Sequence, residues 1–415
     1  MIRKYTLLMI MLLCGVSGLW AQHNTSSPYT RYGYGNVLDG GFGQTRAMGG
    51  LSYGLRDKSI INPNNPASYT AIDSLTFRME AGVSFQVSRF DGVNEKKTER
   101  DGNLEFLAFQ FPIRKWVAFS CGLMPYSIVG YEYEQSQTVP SSITGGYLTN
   151  TYRYEGKGGI TQLYAGLAFR PVKYVSLGGN FQFNFGEISH YSTTSFQDNG
   201  IYKTTMDRNF KVKDVTGDFG LQVEVPIKEK HSLSVGGVFQ MKSQMSTEAT
   251  QTIVTSDTTV LNFNNNFDTP MYFGAGFVYT YLEEFMFGVD YKREAWSDVR
   301  FFGEKNFEDR SKLSLGAQYL PSKNGRAYFQ RVAYRLGASF SSSYYKVNGE
   351  QLKFFSLSTG WGFPLKKGLN PTVINLSFEY GHNGEIKDNQ LREQYFKFTL
   401  NATVNERWFV KRKLN

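Results

Sequence analysis

Met271-Tyr272-Phe273-Gly274-Ala275-Gly276-Phe277-Val278-Tyr279 alternates along its whole length. The odd positions are Met, Phe, Ala, Phe and Tyr, and the even positions are Tyr, Gly, Gly and Val. Successive side chains of a strand point to opposite faces, so one face of this stretch is apolar and the other is small or polar. From about Ser74 to the C-terminus the same rhythm returns roughly fourteen times, with turn residues between. Repeated strands of this kind specify an all-β fold, a transmembrane antiparallel β-barrel of about fourteen strands.

Composition agrees. The chain has 415 residues, with 42 Gly, 27 Tyr, 34 Phe and aromatics at 16%. Glycine lets strands bend, and aromatics girdle membrane interfaces. The mean hydropathy of −0.37 excludes a helical membrane protein. Barrels escape hydropathy because only alternate residues meet lipid.

Residues 1–21 read as a secretory signal: Arg3 and Lys4, then an apolar run over 7–13, then Gly15, Ser17, Gly18 and Ala21 before the cut. Cys14 follows Leu13 where a lipobox wants a small residue, which argues against lipidation. Cys121 then remains alone, so neither a disulfide nor a zinc site is expected. The net charge of +9 is spread over turns, with no nucleic-acid motif. Residues 406–415 are basic and read as a periplasmic tail or the end of the last strand.

Residues 22–73 lack alternation but are rich in Gly, Asn, Pro and Tyr. They are too aromatic for a disordered linker. The barrel interior is where they can pack, as a hatch. Strands are expected near 74–90, 104–111, 117–134, 158–170, 175–195, 211–225, 231–250, 269–281, 285–297, 310–320, 331–344, 351–363, 372–382 and 392–405, making a barrel over 74–405. Short and long connections alternate. The long set is 91–103, 135–157, 196–210, 251–268, 298–309, 345–350 and 383–391. Short turns face the periplasm in such barrels, so both termini are expected there, in a Gram-negative outer membrane.

A Lys or Arg facing lipid at the midplane would cost about 2–4 kcal/mol. Accordingly Arg78, Lys292, Arg335 and Lys397 fall on the inward set, as do Glu80, Asp218, Glu224, Asp290 and Glu379. Opposite signs in one lumen predict ion pairs with each other and with the hatch. In the third strand, Gly122-Leu123-Met124-Pro125-Tyr126 predicts a local break, because proline removes a ladder donor and a closed barrel has no edge to hide it. The break either opens the wall or only adjusts its curvature. Met48, Phe106, Met124 and Tyr126 are candidates for an apolar pocket between hatch and wall.

Arg46-Ala47-Met48-Gly49-Gly50, followed by Asn62-Pro63-Asn64-Asn65-Pro66-Ala67-Ser68, resembles the hatch of FadL/TodX-type outer-membrane transporters. The stretch from Ser27 to Gly33 and the Trp408-to-Lys413 end look like Bacteroidota members of that group. The resemblance implies passive uptake of fatty-acid-like or aromatic small molecules, with a lateral gate at the strand-three kink and no cofactor. It also admits a different class, since FadL-like barrels serve as non-transporting subunits of outer-membrane machines for secretion or barrel assembly. Outer-membrane lipid, a hydrophobic ligand and other outer-membrane proteins are the partners it implies. Catalysis is not expected: His23, His190, His231 and His382 are scattered, and no metal set converges. The Gly33–Gly43 glycines lack the strand–helix context of a phosphate loop.

Overall fold

The computed structural model describes residues 25–92, 96–140, 145–196, 202–366, 371–384 and 391–407. The expected signal sequence, Cys14 and the tail beyond Arg407 lie outside the described residues.

Fourteen strands form the wall: β1 (Thr76–Asp91), β2 (Lys96–Arg114), β3 (Val117–Pro140), β4 (Tyr147–Val172), β5 (Val175–Phe196), β6 (Thr204–Lys228), β7 (His231–Gln240), β8 (Tyr272–Tyr281), β9 (Phe285–Glu294), β10 (Arg310–Tyr319), β11 (Ala333–Val347), β12 (Glu350–Pro364), β13 (Val373–Asn383) and β14 (Arg392–Arg407). Each pairs antiparallel with its neighbours, and β14 pairs with β1 to close the ring. Closure removes the sheet edges that would otherwise need covering.

The face assignment follows from what surrounds the ring. Phe181, Phe219, Leu336 and Phe396 are each about 60% exposed on the outside. A water-soluble surface does not carry such a continuous apolar wall, whereas a barrel in lipid requires one. The inward set is polar: Asn180, Gln182, Asn184, Asp218, Asn375 and Asn401 are all buried there.

The strands are longer than the alternation suggests. β3, β4 and β6 run for 24, 26 and 25 residues, against the roughly 9–11 needed to span a bilayer. Their far ends carry Thr, Tyr, Arg and Glu, which read as loop, yet the ladder continues because an antiparallel sheet tolerates water on its faces. Two expectations change here. The stretch 231–250 is not one strand: β7 ends at Gln240, and Thr247–Val254 returns to pair with β6 and with Thr258–Asn262. The expected loop 345–350 is a two-residue turn at Asn348-Gly349, with φ of 52° and 86°, the type I′ geometry that Asn-Gly favours.

Residues 25–75 form no long element. They contain short 3-10 turns at Pro28–Arg31 and Pro66–Ala71, a four-residue helix at Gly43–Arg46, and a two-residue strand at Asn36–Val37. They lie against the inward faces of the wall. A ring of wall glycines makes the contact close. A Cβ on Gly178 would meet the Pro66 carbonyl carbon at 2.5 Å, one on Gly236 the Tyr53 oxygen at 1.9 Å, and one on Gly337 the Gly49 nitrogen at 2.1 Å.

Candidate functional site

A segment with so little secondary structure has many backbone groups that need partners. The wall's inward charges supply them. The Asp290 carboxylate accepts from the Ser52 and Tyr53 N–H groups at 2.5 and 2.7 Å. Glu80 accepts from Ile61 N–H at 3.0 Å and from Asn401 at 3.1 Å. Arg78 donates to the carbonyls of Lys58 and Ile60. Arg335 donates to Gln44, Gln318 and Asn375. Asp218 accepts from Asn180, Gln182 and Tyr272. The expectation of ion pairing is therefore corrected for these five: their bonds run to backbone groups, side-chain amides and, for Asp218, the Tyr272 hydroxyl. Among the others, Lys397 pairs with Glu105 at 2.5 Å, Lys292 pairs with Glu294 and Asp39, and Glu379 accepts from the Tyr395 hydroxyl. Glu224 sits exposed at the open end of the ring, paired with Arg56 at 3.1 Å.

Asp39 is the centre of charge in the segment, and the sequence reading missed it. Its carboxylate meets Arg310 at 2.7 Å, Lys312 at 2.9 Å and Lys292 at 3.6 Å. Burial works against the charged form, but the three cations outweigh it and hold Asp39 well below the usual carboxylate range. Arg310 and Lys312 share the inward face of β10 with Ser314, so alternation could have found them. Glu105 was missed too; it binds both Arg46 and Lys397.

The other singled-out residues fall into place around this centre. Gly49 and Gly50 adopt φ of 66° and 87°, and Gly49 N–H donates to the Ser358 hydroxyl at 3.0 Å. Asn62 donates to the Ser52 oxygen and Asn65 to the Tyr53 oxygen, each at 2.7 Å, folding the segment on itself. The Asn65 side chain also accepts from Ala67 N–H and caps the turn that Pro66 opens. Asn180 reaches the Pro63 oxygen.

Met48, Phe106, Met124 and Tyr126 do not share one pocket. Phe106 stacks on Phe42 with ring centroids 3.8 Å apart, and Met124 packs beside that cluster. Met48 belongs with Leu51 and Leu55, while Tyr126 packs on an aromatic core at the long-loop end. In that core Tyr34 from the segment touches Trp296, Phe210 and Phe301, and its hydroxyl donates to the Asp268 oxygen at 3.0 Å. The segment's own rings fill the interior at this level. Two of the remaining interior hollows measure about 190 and 70 Å³ and are lined largely by polar side chains. Sites for small apolar ligands run to about 300–1,000 Å³.

The kink region has a definite geometry. β2 and β3 pair from Arg114/Val117 only as far as Leu107/Leu123. Beyond that, β3 keeps β4 on one side, with a register shift between Pro125 and Ser127. Gly122, opposite Ala108, lies one level before the last pair. On the vacated side, Asn36 and Val37 pair with Ile128 and Ser127, Leu38 N–H donates to the Tyr126 oxygen, and Thr30 bonds Gly130. Ser26 reaches Asp101 on β2. The N-terminal segment therefore occupies the seam between β2 and β3.

The family model for BamG matches residues 1–415. The chain belongs to the BamG family. No curated protein matches this BamG-family chain. Among solved structures it is similar to the Ralstonia pickettii toluene transporter TbuX, with a TM-score of 0.60 and 14% identity over 90% of this chain and 99% of that one. The P. putida toluene transporter TodX gives 0.56 and 14% over 90% and 100%. A Pseudomonas aeruginosa FadL homologue gives 0.57 and 11% over 89% and 99%. At these identities the likeness is one of fold. The FadL/TodX resemblance therefore holds for the architecture, and the family is BamG.

Proposed function

We propose that this protein is a non-transporting barrel subunit of a Gram-negative outer-membrane machine, in secretion or barrel assembly, with both termini periplasmic. Residues 22–73 act as a fixed plug. The observation that carries this reading is the fastening of Asp39 to three wall cations, under an aromatic seal at Tyr34. A gate meant to shift on ligand binding would have to break several buried, low-dielectric contacts at once. The BamG family match favours the assembly alternative over uptake. The working surfaces are then the outer wall and the long strand extensions.

One observation favours a second reading, passive uptake of hydrophobic small molecules. The β2–β3 ladder stops at Leu107/Leu123, and among the described residues the segment that occupies the seam has ladder pairs with β3 only at Asn36 and Val37, so its withdrawal would open the seam. Gly122, Met124, Pro125 and Tyr126 would then border a lateral exit.

The test is a gentle-detergent purification of the tagged protein at native expression, with mass spectrometry of co-purifying proteins and bound small molecules. A stoichiometric outer-membrane protein partner and an empty lumen are expected. A lone barrel carrying fatty-acid-like or aromatic ligands, lost on Pro125→Ala, would overturn the subunit reading in favour of uptake.

A further inference from the structure

The outer wall carries a hollow that the lumen does not explain. On the lipid-facing side of β9 to β14 and β1 lies a furrow of about 790 Å³. It shares Phe287, Ala317, Leu336 and Thr359 with a second hollow of about 530 Å³. A barrel's exterior is convex, so a furrow needs a cause. Inside, at this level, Gly316 and Gly337 rest directly on the N-terminal segment: a Cβ on them would meet Met48 Cβ at 2.8 Å and Gly49 nitrogen at 2.1 Å. The wall is drawn in where it has no side chain to hold it off. The next residues, Ala317 and Ala338, face outward and keep the floor low. Phe85, Phe287, Phe378 and Phe396 stand around it.

The strand register places cations beside the furrow toward the long-loop end. Phe396 pairs with Val87, and Val87 with Arg100. One step along, Gln394 pairs with Arg89. One step further, Arg392 pairs with Asp91, and Asp91 with Lys96. Lys353 lies two residues beyond Phe355 on the same outward face of β12. Asp91 is spoken for, held between Arg89 at 3.0 Å and Arg392 at 2.8 Å. Lys96, Arg100 and Lys353 make no ion pair among the described residues, and the buried Arg392 Nε has no acceptor. Five cations thus answer one carboxylate at the edge of an apolar trough.

We propose that this furrow and its basic rim bind a phosphorylated lipid of the outer leaflet. An acyl chain lies over Ala317 and Ala338, and a phosphate is held by Arg89 and Arg100, which lie one step apart on the neighbouring strands β1 and β2. The trough is of the size that takes a drug-sized apolar ligand, about 300–1,000 Å³. Guanidinium groups suit phosphate because their fixed fork of donors matches its oxygens, and basic pockets beside transmembrane elements bind anionic head groups. The proposal rests on the outer-membrane placement proposed above but not on either reading of the lumen.

The test is native mass spectrometry of the full chain, exchanged from detergent into equimolar bisphosphorylated lipid A and its dephosphorylated form. Wild type is expected to retain one phosphorylated lipid at least tenfold over the other. The Arg89→Gln/Arg100→Gln variant should lose that preference. The Ala317→Leu/Ala338→Leu variant, which fills the trough on the lipid side, should lose retention of both forms. Equal retention of the two lipids by wild type, or retention unchanged in both variants, overturns the proposal. So does a polypeptide that leaves with Ala317→Leu/Ala338→Leu while lipid A stays. Loss of a protein partner with lipid retention intact would count against the subunit reading alone.

Discussion

Asp39 shows what one side chain does in this lumen. Replacing it by Asn leaves Arg310 and Lys312 buried with too little negative charge nearby, since Glu294 alone remains to serve Arg310 and Lys292. Removing one partner of a buried charge cluster costs about 3–5 kcal/mol; with Asp39 partly exposed, the lower end, about 3 kcal/mol, is expected for Asp39→Asn in urea unfolding followed by gel mobility. The pH dependence follows from the direction of the shift. The folded value lies below the unfolded one of about 4, so the contribution is present above that unfolded value and is lost as pH falls through the folded one. Stability that depends on Asp39 should therefore be the same at about pH 5 as at neutrality, and a gap between wild type and Asp39→Asn that closes by about pH 5 would refute the assignment. Gly337 tests the close contact in another way. Its added methyl would meet Gly49 nitrogen at 2.1 Å, whereas on Gly102 the nearest atom is 3.9 Å away. Gly337→Ala should cost about 1–3 kcal/mol, and Gly102→Ala less than about 1 kcal/mol, by the same unfolding measurement. Arg310 and Lys312 could be read from alternation because a strand sorts its residues by parity. Asp39 could not, because its segment has no period and its neighbours are set by tertiary contact alone.

At the scale of elements, the period-2 pattern located all fourteen wall strands, since lipid on one side and a packed lumen on the other penalise any slip. It failed where that pressure ends. Beyond the membrane both faces of β3 to β6 meet water or protein, and Tyr, Thr and Glu are then as good inside a ladder as in a loop. Pro125 marked an irregular place in β3 correctly as chemistry, because a residue without an N–H cannot serve the ladder there. The sequence held no sign that the neighbouring edge would be taken by Asn36 and Val37, since two residues carry no periodicity. The seam makes its own prediction. Amides on the β3-facing edge of β2 between Asp101 and Glu105 have no β3 ladder partner, while those from Leu107 to Phe111 do. Hydrogen exchange with mass spectrometry should find the first stretch exchanging faster than the second, as expected where opening is local. Equal protection would mean that the segment seals the seam as firmly as a strand would.

For the whole molecule the question is whether the ring conducts. A fourteen-stranded ring has room for a pore, and the FadL-type fold on its own would allow one. The plug reading proposed above sets against it the sum of small fastenings: backbone groups of 52–61 satisfied by Asp290, Glu80 and Arg78, the Asp39 cluster, and the aromatic core around Tyr34. These act on different parts of one segment, so loosening one leaves the others to hold it. In planar bilayers the wild-type barrel should therefore give no steady ion current. Asp39→Asn alone should give at most brief openings. Combining it with Tyr34→Ala, which removes the ring that Trp296, Phe210 and Phe301 pack against, should release both ends of the segment's upper half and give long-lived conductance. A wild-type barrel that conducts steadily would mean that the polar hollows connect into a water path, and the plug role of residues 22–73 would fall with it. A double variant as silent as wild type would locate the seal in the 52–67 turns alone, where the wall glycines grip the backbone.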